Sequence, residues 1–146
     1  MKGKEKQAGE LSYFATALSA YLRESHPQIC NDREFIKTRS DSAAETYERA
    51  IRDGNNVAEA LELANAVLYQ DLRFSRYDTI FEVVSEWFPE VKPRERTAFC
   101  LKMLPVCREV FEMYRLTDDF ESKPAYTNLL VELTGIIQQN IEDHGI

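Results

Sequence analysis

YQDLRFSRYDTIFEVVSEWF, residues 69–88, decides how the chain is read. It carries six of the sixteen aromatic residues, the single tryptophan among them. Ser75 followed by Asp78 is a helix-start signature, and Tyr77, Ile80, Phe81, Val84 and Phe88 then recur at the three- and four-residue steps of one helix side. Pro89 and Pro93 punctuate its end. Ahead of Ser75 the run turns, so the stretch reads as helix-turn-helix. A stripe at helical spacing is usually core, which directs Ile80, Phe81, Val84 and Phe88 inward. Arg73, Phe74, Arg76 and Tyr77 interleave guanidinium groups with rings, a mixture found at interface hot spots, and form the candidate partner surface.

The same period extends in both directions. Leu11, Phe14, Leu18, Tyr21 and Leu22 mark an amphipathic helix over 11–25, stopped at His26-Pro27. Asn31 is placed to cap a second helix with Asp32 and Glu34 in its first turn, and Gly54 sits where a left-handed C-terminal residue belongs. Ser40-Asp41-Ser42 lies inside that helix, which is read as continuous although such residues compete for backbone hydrogen bonds. Asn56 and Glu59 approximate a capping box ahead of the stripe Ala60, Leu61, Ala64, Val67 and Leu68. Pro93 opens a fifth helix in which Cys100, Leu104, Cys107, Phe111 and Tyr114 align, with Pro105 predicting a kink or a division into two. Pro124 opens the last, along Tyr126, Leu129, Leu130, Leu133, Ile137 and Ile141. No segment alternates with period two. The expected fold is an all-α single-domain bundle of about five to seven amphipathic helices over 11–146, preceded by a disordered tail over 1–10.

With 146 residues, about 70% of the unfolded chain's surface can be buried, so one core suffices without metal or disulfide. No apolar run reaches the ~18–20 residues that span a bilayer, and no secretion signal is visible, so no membrane association is expected. The three cysteines are Cys30, Cys100 and Cys107. On one helix Cys100 and Cys107 stand ~10 Å apart along the axis, too far for a disulfide. All three read as thiols of a reducing cytoplasm. Only Cys30, just ahead of a helix start, is placed for a lowered pKa, and it too reads as inert.

Chemistry-bearing motifs are scarce. Gly3-Lys4 lacks the rest of a phosphate loop, and neither GxGxxG nor GxSxG occurs. His26 and His144 sit apart from any nucleophile. No ExxH pair supports a di-iron bundle, and Pro27 separates His26 from Cys30 too abruptly for a zinc pair. Asp118-Asp119 with Glu121, and Glu142-Asp143 beside His144, read as solvated clusters, Asp118-Asp119 capping a short helical turn. No catalytic residue, cofactor or metal is implied.

The formal net charge is −7, which disfavours unselective binding to nucleic acid. Lys92, Arg94, Arg96, Lys102, Arg108 and Arg115 nevertheless outnumber Glu95, Glu109 and Glu112 between residues 92 and 115, giving a candidate basic face of net +3. Residues 54–91 and 116–146 are each −5. Such polarity suits pairing within the molecule first, then a protein partner or a second copy.

The runs AYLRESHPQICNDREFI, SDSAAETYERAIRDG, ANAVLYQDLRFSRYDTI, LTDDF and YTNLLVELTGII resemble a family of small proteins from Bacteroides and relatives known as domain of unknown function 1896. The resemblance implies a helical fold, a bacterial cytoplasmic origin and an accessory role near mobile genetic elements. It carries no assigned activity, ligand or site residue. The expectation is a non-catalytic cytoplasmic protein that binds an unidentified protein partner or itself. The alternatives are a nucleic-acid accessory protein linked to mobile elements, and an enzyme whose site is assembled from distant segments.

Overall fold

Side-chain caps fix where three of the helices begin. In the computed structural model the backbone is described for residues 2–146 and the side chains for residues 13–146. The tail expected over 1–10 lies outside the fully described residues. The helices gather into two compact units, Met1–Gln70 and Asp71–Ile146, so the aromatic stretch is shared between them.

The first unit holds α1 (Lys2–Ser25), α2 (Arg33–Arg52) and α3 (Val57–Leu68). α1 stops at Ser25, and Pro27 opens a 3-10 turn, Pro27–Ile29. Asp32, not the expected Asn31, caps α2: its carboxylate accepts from the Phe35 N–H at 3.1 Å. Either side chain could supply the oxygen, but only Asp32 stands immediately before the helix, three residues from Phe35. α2 runs unbroken through Ser40-Asp41-Ser42, because the Ser40 hydroxyl donates back to the Ile36 carbonyl and Asp41 pairs with Lys37 at 3.1 Å. Gly54 takes φ +96° just past its end, a conformation that suits glycine. The box at α3 is reciprocal: Asn56 Oδ1 accepts from the Glu59 N–H at 2.8 Å and Glu59 Oε1 from the Asn56 N–H at 3.1 Å.

At the other end of α3, the Arg39 guanidinium donates to the carbonyls of Leu68 (3.2 Å) and Gln70 (2.7 Å) while lying 4.9 Å above the Phe35 ring. A cation there satisfies carbonyls that the helix leaves open and complements its negative end. α2 packs against both α1 and α3. The buried side chains are Phe14, Leu18 and Leu22 of α1, Ala43, Ala44 and Ala50 of α2, and Ala60, Ala64 and Leu68 of α3. Alanines buried on both α2 and α3 allow a close helix pair. Tyr69 meets Tyr21 edge-on at 5.0 Å.

The second unit holds α4 (Arg76–Trp87), α5 (Arg96–Val106), α6 (Arg108–Glu112) and α7 (Ala125–His144). Ser75 Oγ accepts from the Asp78 N–H at 2.9 Å, as the sequence predicts. Pro93 opens a separate 3-10 turn, Pro93–Glu95, instead of the first turn of α5. Pro105, which has no N–H to give, lies in the last turn of α5, and the chain restarts as α6 after Cys107. The core is Ile80, Val83 and Val84 of α4, with Phe88 just past its end, against Phe99, Cys100 and Met103 of α5, Phe111 of α6, and Leu129, Leu133 and Ile137 of α7. Phe120, in a 3-10 turn, is met edge-on by Phe74 at 5.4 Å. No strand occurs among the described residues, and no helix there is long and apolar enough to cross a membrane.

Candidate functional site

The four residues of the candidate partner surface separate in the structure. Phe74 and Tyr77 are buried, 6% and 7% exposed. Phe74 enters the core just before the Ser75 cap, beside Phe111 and Phe120, and Tyr77 begins the inward stripe of α4 that Ile80 and Val84 continue. Arg76 is half-buried with its guanidinium 5.4 Å above the Phe111 ring, so this arginine-aromatic pairing is internal. Arg73 alone of the four is exposed. Its backbone N–H donates to Asp118 Oδ1 at 3.0 Å, and the Asp71 N–H donates to Asp118 Oδ2 at 3.1 Å. Asp118 is therefore no helix cap. It clamps a turn 45–47 residues away in which Asp71 holds φ +63°.

The candidate basic residues also divide. Arg96 is half-buried, and its Nε donates to the Val91 carbonyl at 3.2 Å. Arg108 lies 3.8 Å from Glu112. Lys102 lines a shallow cleft of ≈ 440 Å³ with Glu95, Ala98, Phe99 and Ile146. Lys92, Arg94 and Arg115 are exposed in the segments flanking α5 and α6. The six-residue step from Arg96 to Lys102 turns about 600°, so these two project from different sides of α5.

Within the aromatic stretch Trp87 stands apart. It ends α4 and is 61% exposed, whereas Phe74, Tyr77, Phe81 and Phe88 are buried or half-buried. With Phe88 and Ile141 it forms the apolar part of a cleft of ≈ 300 Å³, and Glu90, Gln138 and Glu142 supply its polar part. The cleft lies between the end of α4 and the last turns of α7, two helices that pack against each other. Gln138 Nε2 donates to Glu142 Oε1 at 3.4 Å, and the Glu90 carboxylate is exposed. In the sequence Trp87 belongs to the aromatic density and Ile141 to the stripe of the last helix, and nothing local joins the two. The available signal was position: both residues extend an inward stripe by a turn near a helix end.

The ionisable groups whose pKa the fold shifts have structural work. Burial pushes the Cys100 and Cys107 thiols up to about 12, with Arg96 opposing the effect at Cys100, so both are protonated core residues at neutral pH. The Tyr126 hydroxyl donates to Glu82 Oε2 at 3.2 Å. Burial first, then the Glu82 charge, raises Tyr126 to about 12. The Tyr114 hydroxyl donates to Glu132 Oε1 at 2.7 Å, a bond that raises its pKa. Asp119 is held below the usual carboxylate range chiefly by the Thr117 hydroxyl, 2.6 Å away. Among the described residues no three His, Cys, Asp or Glu side chains gather in a group that could hold a metal.

Helices, caps and cleft together define an all-α protein that displays an aromatic side chain at the margin of its second unit. It belongs to the family described as Domain of unknown function (DUF1896), whose profile matches residues 6–146, in agreement with the resemblance read from its sequence. The chain is similar to protein PG0816 from Porphyromonas gingivalis, known from a crystal structure. The two are 38% identical, with 97% of each chain covered and a TM-score of 0.92. No curated protein matches the chain.

Proposed function

We propose that the protein acts by binding another protein, without catalysis, and that the Trp87 cleft is its contact surface. The observation that carries this reading is the exposure of the only tryptophan beside a cleft with an apolar floor. A large ring left in water forgoes burial energy in the isolated protein, and tryptophan is among the side chains that contribute most when an interface covers them. The reducing bacterial cytoplasm fits as its compartment: the three thiols are free, and the relative of known structure comes from a bacterium.

The test is affinity capture from the native cytoplasm with the intact chain and with Trp87→Ala, each with and without nuclease. Proteins held by the intact chain, lost with Trp87→Ala and indifferent to nuclease, support the reading. Because Trp87 is 61% exposed, the variant should keep its helical circular dichroism and lose no more than about 2 kcal/mol of stability. The same proteins captured by both chains, or capture abolished by nuclease, would refute it.

A further inference from the structure

We infer that the Trp87 cleft takes a cationic peptide segment, seating an aliphatic side chain on Trp87 and Ile141 and laying Lys or Arg against Glu90 and Glu142. This rests on the interaction reading and adds the chemistry of the partner.

Charge complementarity carries the step. The chain contains no Lys or Arg from residue 77 to 91 or from 124 to 146, the two stretches that line the cleft. Carboxylates do recur there, at Asp78, Glu82, Glu86 and Glu90 in four-residue steps and at Glu142 and Asp143. The ion pairs among the described residues join Lys37 to Asp41, Arg49 to Glu45, Arg108 to Glu112 and Lys123 to Asp119, so none neutralises Glu90 or Glu142. Their negative field reaches ~8 Å into physiological salt, far enough to select the sign of an incoming segment.

Size sets the rest. A cleft of ≈ 300 Å³ lies at the small end of the ~300–1,000 Å³ typical of ligand pockets, enough for one anchor side chain and its neighbours. A second copy docking through the same surface would set one set of unpaired carboxylates against another, which disfavours a symmetric dimer.

The probes are three peptides, Lys-Lys-Leu-Leu-Lys-Lys, the same with Glu for Lys, and the same with Ser for Leu. The emission of Trp87, the chain's single tryptophan, reports the cleft alone. The Lys-Leu peptide should shift that emission to shorter wavelength and saturate, more weakly as salt rises. The joint change Glu90→Gln with Glu142→Gln should lower its affinity about tenfold, because rim charges act on encounter and salt dependence. Neither other peptide should match it. Equal binding of the Glu-Leu peptide, an unchanged affinity in the double variant, or an emission shift that tracks protein concentration without peptide would each overturn the inference. If the Lys-Leu peptide fails while capture still depends on Trp87, the partner's chemistry is wrong and the interaction reading stands. If capture does not depend on Trp87 either, both fall.

Discussion

Replacing Asp118 by alanine should loosen the turn at residues 71–73 and lower the stability of the protein by about 2 kcal/mol. Two backbone N–H groups, those of Asp71 and Arg73, point at its two carboxylate oxygens at 3.1 and 3.0 Å. A hydrogen bond to a charged partner contributes ~1.5–3 kcal/mol when shielded, and partial solvent access here reduces each to about 1 kcal/mol. The turn also needs holding, since a non-glycine residue at φ +63° costs roughly 1–2 kcal/mol in the left-handed region. Equilibrium urea unfolding followed by circular dichroism measures the loss, and a thermal midpoint lower by about 4–8 °C should accompany it. Asp118→Asn keeps one carbonyl oxygen and so one of the two bonds, placing it about midway between wild type and alanine. Asp71→Gly removes the steric cost of the left-handed backbone, so Asp118→Ala should cost less in that background, by about 0.5–1 kcal/mol of coupling. A loss under 0.5 kcal/mol in Asp118→Ala, or equal losses in the asparagine and alanine variants, would show that the clamp does not support the turn.

Ser85 Oγ is buried with no hydrogen-bond partner, so Ser85→Ala should stabilise by about 1–2 kcal/mol through removal of an unsatisfied hydroxyl and a better helix former; a destabilised variant in the same urea assay refutes this. Tyr126 gives an alkaline signature, its folded pKa being raised from 10.0 to about 12. The folded state holds that proton more tightly than the unfolded chain, so the contribution is complete below pH 10 and disappears between pH 10 and about 12. Tyr126→Phe should flatten that portion of the stability curve, and an unchanged slope would remove Tyr126 as its origin.

The helices were legible because their signals are local. The Asn56–Glu59 box, the Ser75 cap over Asp78 and the left-handed Gly54 each act within a turn or two, and each stands where the sequence put it. Pro105 divided its helix for an equally local reason. What failed to show was set at long range. Asp118 reads as a cap from its neighbours and becomes a clamp only when a turn 45–47 residues earlier arrives beside it. Phe74 and Tyr77 look like interface residues beside two arginines, yet they are core because Phe111 and Phe120 come from distant segments to meet Phe74, and Tyr77 lies on the buried stripe of α4.

Trp87 shows the same limit from the opposite side. Seven residues turn a helix by about 700°, so Trp87 projects within about 20° of Ile80, and by period alone the two are equivalent. Ile80 is wholly buried and Trp87 is 61% exposed. Ile80 lies mid-helix, whereas Trp87 is the last residue of α4, where the backbone leaves helical geometry and the next ring, Phe88, turns into the core in its place. α7 behaves alike: Ile137 is buried, and Ile141, one turn further, is half-buried in the cleft. The apolar part of the cleft is thus the edge of the core, Phe88, extended by the last residue of α4 and by Ile141, and its carboxylates stand on helix ends lacking Lys and Arg. Such a surface borrows the rigidity of the packed helices while adding little to their stability. Binding and folding are therefore separable at Trp87 in a way they cannot be at Ile80.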